Sequence, residues 1–274
     1  MQYSNFSYDE HIDRQFRITA HKKSFSGNTG IHFHEFFEIE LILSGDGSCM
    51  INGTQYPLSS GALYILTPAD FHFLRGDTKL QLYNIMFDES MISEELAYKL
   101  FNKRDNRFVV FDETELNDIS GIIELIIRER NNSDDFSDDI IKSFLSALIN
   151  IILRKLGTEK QETQSENDVS SALRYIYTHL RFDPSLAEVA KYCGYSTNYF
   201  GKRFHEFTGK KYKTFINEMK LSMAKRMLMM DNITVQEISN ECGFSSVSNF
   251  YRVFKENVGI APKNYRKSEV CDEE

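Results

Sequence analysis

The last third of the chain writes one helix–turn–helix pattern twice, and this repeat restricts the possible fold more than any other feature. The first copy runs Ser185-Leu186-Ala187-Glu188-Val189-Ala190, then Gly194-Tyr195-Ser196, Phe200, Phe204, Gly209 and Phe215. The second runs Thr234-Val235-Gln236-Glu237-Ile238-Ser239, then Gly243-Phe244, Ser246, Phe250, Phe254, Gly259 and Tyr265. The offset is 49 residues at the turn glycine and 50 at the first phenylalanine, so Ser245 is one extra residue in the second turn. Each copy opens on the spacing of a capping box, Ser185 with Glu188 and Thr234 with Glu237. There a hydroxyl and a carboxylate satisfy free backbone donors reciprocally. Gly194 and Gly243 allow the tight turn, and Ser196 and Ser246 are the expected N-caps of each second helix.

On those second helices the phenylalanines stand at i, i+4 and predict an inward face. At 100° per residue, Asn198, Lys202 and His205 project from the opposite side in the first copy. Ser248, Arg252 and Lys255 occupy the same angles in the second. Basic and amide groups at the start of a second helix suit the acceptor pattern of a DNA major groove, with Lys255 placed for phosphate. Charge agrees. The whole chain has a net charge of −8, yet residues 170–267 hold 16 Lys+Arg against 8 Asp+Glu, while residues 1–169 hold 16 against 28. Only the C-terminal part should meet a polyanion. Between the copies, Phe215 to Met230 predicts one connecting helix, with Lys210, Lys211, Lys213, Lys220, Lys225 and Arg226 as phosphate-contact candidates.

The preceding part reads differently. Residues 12 to 88 alternate with period two, as in Glu38-Ile39-Glu40-Leu41-Ile42-Leu43, and are broken by turn dipeptides such as Asn52-Gly53. Short antiparallel strands of this kind predict a small barrel or sandwich. From about residue 91 apolar residues recur every three or four positions (Leu116, Ile119, Ile122, Ile123, Ile126, Ile127; Ile140, Ile141, Phe144, Leu145, Leu148, Ile151, Ile152). The polar run Asn131–Asp135 interrupts them, predicting a helical hairpin. Its stripes are wide enough to suggest a self-association surface. Thr158 to Asp168 holds no apolar residue and reads as a linker. With 41% hydrophobic and 26% charged residues the chain is expected to be globular,. No run approaches the roughly 20 apolar residues of a membrane span. The four cysteines lack metal spacing, and the first residues lack a secretory pattern, so a cytoplasmic setting is expected,.

Gly194-Tyr195-Ser196…Tyr199-Phe200, Gly243-Phe244…Arg252-Val253-Phe254-Lys255 and Pro262-Lys263-Asn264-Tyr265-Arg266-Lys267 resemble the DNA-binding domain of AraC/XylS-type transcription regulators. The resemblance places base-contacting positions at Asn198, Gly201 and Lys202, and at Val247, Ser248, Tyr251 and Arg252. Gly201, without a side chain, and Lys220, where the family usually has arginine, depart from it. His32-Phe33-His34-Glu35-Phe36-Phe37-Glu38…Gly45 and Pro68-Ala69-Asp70-Phe71-His72 are similar to the two motifs of the cupin-like sensor domains of this family. That likeness implies an effector pocket edged by His32, His34, Glu38 and His72, with Tyr64, Phe71 or Tyr83 as aromatic walls. A sugar or similar polar metabolite is the effector it implies. In cupin enzymes the same four positions hold a metal, so a metal-binding cupin fused to a DNA anchor, an enzyme or a metal sensor, is the alternative.

The expectation is therefore a cupin-like effector-binding β-barrel at 1–90 and a helical hairpin at 91–157 serving dimerisation. A linker at 158–168, an all-α double helix–turn–helix at 169–267 and an acidic tail at 268–274 complete it. Double-stranded DNA, a small-molecule effector, a second copy and, for an activator, RNA polymerase are the expected partners. No membrane, no cofactor and no catalytic step are expected.

Overall fold

The computed structural model describes residues 4–6, 12, 17–68, 70–102, 107–158, 168–228 and 233–270. Most of the expected linker, and the end of the expected acidic tail, lie outside the described residues. Two compact units divide the chain at Ser170/Ser171.

The first unit is built on one nine-stranded sheet: β1 (Ser4–Phe6), β2 (Ile18–Asn28), β3 (His32–His34), β4 (Phe37–Ser44), β5 (Gly47–Ile51), β6 (Thr54–Leu58), β7 (Ala62–Leu66), β8 (His72–Phe87) and β9 (Phe108–Val110). The long β8 is its spine. Near its end Phe87 lies opposite both Ile18 of β2 and Phe37 of β4, while its start pairs with β5, His72 opposite Ile51. All pairings are antiparallel except β1 with β3. Asn52 and Gly53, with φ of 52° and 92°, make the tight turn that their dipeptide predicts,.

The period-two pattern holds, but its sense is unexpected. Phe37 through Ile42 are all buried, so β4 has no solvent face. Ile39, Leu41, Ile85 and Phe87 form one face, and the Phe37 ring stacks 5.3 Å from Phe87 and edge-on 5.4 Å from Phe101. The opposite face carries Glu38, Glu40 and Asn84 at one end, and Ile42, Leu58, Leu80 and Leu82 at the other. The barrel interior is thus half polar and half apolar.

The segment after residue 90 is not purely helical, contrary to expectation. Helix α1 (Glu94–Asn102) is followed by β9, which pairs with β7 through Leu63 opposite Val109. The barrel therefore runs to residue 110. Phe108-Val109-Val110-Phe111, aromatic and β-branched, favours the extended form over continuation of a helix. The hairpin itself is α2 (Glu113–Asn131) and α3 (Ser137–Thr158), with Asp112 and Glu115 forming a capping box at the start of α2. Ile119, Ile123 and Ile126 of α2 and Ile141, Leu145, Leu148 and Ile152 of α3 are buried, and Lys155 Nζ pairs with Glu115 at 2.7 Å.

The second unit contains α4 (Asp168–His179), α5 (Leu186–Tyr192), α6 (Thr197–Thr208), α7 (Tyr212–Leu228), α8 (Val235–Glu241), α9 (Val247–Val258) and α10 (Pro262–Val270). Both capping boxes form. The Ser185 and Thr234 amides donate to Glu188 and Glu237 at 2.7 and 2.8 Å. Phe200 and Phe204, and Phe250 and Phe254, are at most 1% exposed. The connecting helix α7 serves both halves. Phe204 packs edge-on to Phe215 near its start, while Leu221, Ala224 and Leu228 join Ile238, Phe250 and Phe254 in the second core. A helix clasped from two sides has no single apolar stripe, so α7 carries apolar residues around much of its circumference.

Candidate nucleic-acid interface and effector pocket

Helix α6 begins at Ser196, whose Oγ accepts from the Tyr199 amide, and α9 begins at Ser246, whose Oγ accepts from the Asn249 amide at 3.1 Å. With the phenylalanines inward, Asn198, Lys202 and His205 of α6 and Ser248, Arg252 and Lys255 of α9 are exposed. Two basic side chains on these faces carry ion pairs. Lys202 lies 3.9 Å from Glu206. Arg252 pairs with Glu256 at 2.8 Å and donates from Nη2 to Asn249 Oδ1 at 3.0 Å. Exposed i, i+4 pairs are worth only about 0.3–0.5 kcal/mol. Guanine edges could replace Glu256 at little cost.

At Gly201 a Cβ would stand 3.2 Å from Leu186 Cδ2, so α6 packs closely on α5 at the position whose missing side chain departs from the family pattern. One sequence expectation needs correction here. Lys220 is no phosphate contact. It is 3% exposed, and its Nζ donates to Asp183 Oδ1 at 2.6 Å and to the Gly243 carbonyl. Val247 and Tyr251 are half-buried, with Tyr251 packed against the second core. Lys210 pairs with Glu218, while Lys211 and Lys213 are exposed; the side chain of Arg226 lies outside those described. Asn249, which ties Arg252 in place, was missed by sequence reasoning, although it sits one turn from Ser245.

Lys220 explains how the two halves of this unit are held together. Asp183 precedes α5 in a left-handed conformation (φ 51°), and Gly243 forms the turn after α8 (φ 69°). A Cβ at Gly243 would fall 2.4 Å from the Leu180 carbonyl oxygen, so only glycine lets the second turn lie against the first half,. Arg181 adds an ion pair to Glu241 at 3.0 Å.

Inside the barrel, a cavity of about 230 Å³ is lined by His32, His34, Glu38, Glu40, Tyr64 and His72, with Lys23, Phe25, Phe36 and Asn84 among the others. Glu38 Oε2 lies 3.0 Å from His34 Nε2 and 3.3 Å from His72 Nε2. Asn84 Nδ2 donates to Glu38 at 2.6 Å and to Glu40 at 2.8 Å. Glu40 also pairs with Lys23 at 2.9 Å and accepts from the Tyr64 hydroxyl. Burial would raise the Glu38 carboxyl, but its contacts with His34 and His72 outweigh this and hold it well below the usual range,. Burial, with His72 adjacent, pushes His32 down to about 3. The donor atoms of His34, Glu38 and His72 lie within 4.8 Å of one another.

Tyr83 does not line this cavity. One residue from Asn84, it points to the other face of β8, where its hydroxyl donates to Glu124 of α2,. Phe71 is buried, but it too is outside the lining. Lys23, Glu40 and Asn84 were not singled out from the sequence. Glu40 was within reach of that reasoning, since alternation puts it on the face of Glu38.

Residues 16–149 match the family described as AraC-like ligand binding domain, and residues 189–268 match a helix-turn-helix domain family. The chain is 24% identical over 250 residues to the uncharacterized HTH-type transcriptional regulator YfiF of Bacillus subtilis (strain 168), covering 87% of this chain and 79% of that protein. It is 20% identical over 241 residues to the HTH-type transcriptional activator RhaS of Escherichia coli O81 (strain ED1a), covering 86% and 87%. Among solved structures, ToxT from Vibrio cholerae O395 is similar over 91% of this chain and 97% of its own, at 16% identity and a TM-score of 0.38. The AdpA DNA-binding domain in complex with a target DNA covers 39% and 97%, at 21% identity and the same TM-score of 0.38. Among the described residues no helix is long and apolar enough to cross a membrane. Ligand-binding barrel and doubled reader together make this chain a member of the AraC family of DNA-binding transcription regulators.

Proposed function

We propose that the regulator is a cytoplasmic homodimer whose barrel takes a small polar metabolite, a sugar or a molecule of similar size and hydrogen-bonding capacity. Residues 1–157 serve as the sensor and 169–267 as the reader, joined by 158–168, with no catalytic step. The observation that carries this reading is the inverted face of the sheet, which spends Glu38, Glu40 and Asn84 on the interior of a cavity. Buried polar groups are costly unless they are satisfied. A ligand rich in hydroxyls would exchange hydrogen bonds with them, while Phe25 and Phe36 supply apolar walls,.

On DNA, Asn198 and Lys202 from one helix and Ser248 and Arg252 from the other read base edges, Val247 and Tyr251 flank them, and His205 and Lys255 reach phosphate. Self-association runs through α3, where Ile140, Phe144, Ala147 and Ile151 form a stripe that is not fully buried within the subunit,. Effector binding then shifts the population of dimer arrangements that fit two half-sites. Its relative RhaS is named an activator, and activation through RNA polymerase is the outcome we assign here as well.

The test is thermal unfolding of the full chain against a panel of sugars and other polar metabolites, followed by footprinting upstream of its own gene with each hit. A true effector held at 100 times its dissociation constant adds about 2.7 kcal/mol to the stability of the barrel. Its effect disappears in Asn84→Ala. A panel without hits, or hits that persist in that variant, would refute the assignment of the cavity.

A further inference from the structure

We propose that the barrel ligand carries a primary amine, as an amino sugar or an equally compact hydroxylated amine does, and that its ammonium displaces Lys23 from Glu40. This inference rests on the reading that the cavity takes a polar metabolite, and it names the group by which that metabolite is selected.

Strand register builds the recognition wall. Glu40 of β4 lies opposite Tyr64 of β7 and Asn84 of β8, and Asn84 lies opposite His21 of β2. Residues opposite one another in paired strands share a face, and all four line the cavity,. Asn84 decides what that wall asks of a ligand. Its Nδ2 donates to Glu38 Oε1 at 2.6 Å and to Glu40 Oε1 at 2.8 Å. This settles the amide orientation, because an amide oxygen in the same place would face two carboxylates. Asn84 Oδ1 is therefore an acceptor, on a side chain with no exposure, and it has no hydrogen-bond partner among the described residues. A buried acceptor left alone is costly, and a donor entering the cavity removes that cost.

Charge selects the donor. Among the described residues that line the cavity, Lys23 is the only lysine or arginine, against Glu38 and Glu40. An acidic ligand would meet two carboxylates and one cation, and a neutral sugar would leave the imbalance as it is. An ammonium removes it. Lys23 already shows how a cation sits there, with its Nζ 2.9 Å from the Glu40 Oε1 that Asn84 also reaches. The Glu40 side chain is 4% exposed and that of Lys23 34%. The carboxylate is thus fixed inside, while the ammonium arrives from the rim on a flexible stem and can leave into water. A ligand ammonium offers the same compact charge with three donors. Three acceptors, Glu38 Oε1, Glu40 Oε1 and Asn84 Oδ1, are grouped about a single amide. At about 230 Å³ the cavity is smaller than the roughly 300–1,000 Å³ of drug-sized sites, so the amine is a compact one,.

The test is calorimetric titration of the full chain with matched probes: glucose, galactose and mannose, their 2-amino forms, the corresponding uronic acids, and glycerol beside 1,3-diaminopropan-2-ol. We expect the amine of at least one set to bind at least about tenfold tighter than its neutral parent, as a charge-assisted hydrogen bond implies, and the acids not to bind. Glu40→Gln keeps the shape and drops the charge, so it should bring that amine to within about threefold of its parent. Lys23→Met keeps the stem and removes the competing ammonium, so amine binding should tighten about two- to fivefold while neutral sugars are unaffected. Should Glu40→Gln fold poorly, Lys23→Met at the rim still gives the readout. Neutral or acidic probes that bind as tightly as the amines, an amine preference that survives Glu40→Gln, or weaker amine binding in Lys23→Met would each overturn the proposal and leave the polar-metabolite reading standing. Absence of binding by every probe overturns it too, and the wider metabolite panel then decides the reading on which it rests.

Discussion

Replacing Lys220 by alanine separates a strut from a DNA contact. In the folded unit its ammonium holds the Gly243 carbonyl of the second turn and the Asp183 carboxylate ahead of the first helix–turn–helix. The bond to Gly243 is charge-assisted and buried, a class worth about 1.5–3 kcal/mol. The side chain of Asp183 is 60% exposed, so water takes over its solvation and that pair adds no more than about 0.5–1 kcal/mol,. The expected loss is therefore about 2–4 kcal/mol, read as a lower denaturation midpoint of the second unit in urea. Binding to a two-box site should suffer as well, since the second reader reaches its groove only if the first holds it in register. On the scale of 1.4 kcal/mol per decade, two-box affinity should fall roughly ten- to a hundredfold while one-box affinity stays within about twofold. Lys220→Met, which keeps the stem, should recover packing but not register. Equal losses on one-box and two-box DNA, with the salt slope reduced by about one, would show instead that Lys220 touches phosphate.

Other expectations follow from the same geometry. Arg252→Ala should lose about 1–3 kcal/mol of discrimination at one or two base positions in competition footprints, whereas Lys255→Ala should weaken all sequences alike and flatten the salt slope. Glu256→Ala frees Arg252 from its ion pair and should leave affinity unchanged or slightly higher. Asp70 is buried against Arg107 at 3.2 Å and accepts from Thr67 and Asn52. Asp70→Ala would leave the guanidinium uncompensated and cost about 3–5 kcal/mol in chemical denaturation. Phe144→Asp on α3 should yield monomers in sedimentation velocity with the circular dichroism spectrum unchanged; a dimer that persists would remove α3 from the interface.

The local features were legible because they depend on neighbours in the chain. Capping boxes, turn glycines and the i, i+4 phenylalanines act over three or four residues, and each forms as its spacing predicts. The Asn52-Gly53 turn belongs to the same class. β9 was missed because three residues give too short a pattern to outweigh the helical periodicity on either side, and its partner β7 lies far back in the chain.

What the sequence alone determined, then, was the doubled reader, the strand-rich sensor and the split of charge between them, all products of periodicity and composition. Tertiary structure decided which side of each pattern faces inward. Alternation along β4 says that Glu38 and Glu40 share a face, but only closure of the sheet turns that face to the interior and sends Tyr83 out to α2. In the same way, a lysine on a helix looks like a phosphate contact until the second turn folds against it and supplies a carbonyl. Burial and partner identity are properties of residues far apart in the chain, and no local spacing encodes them.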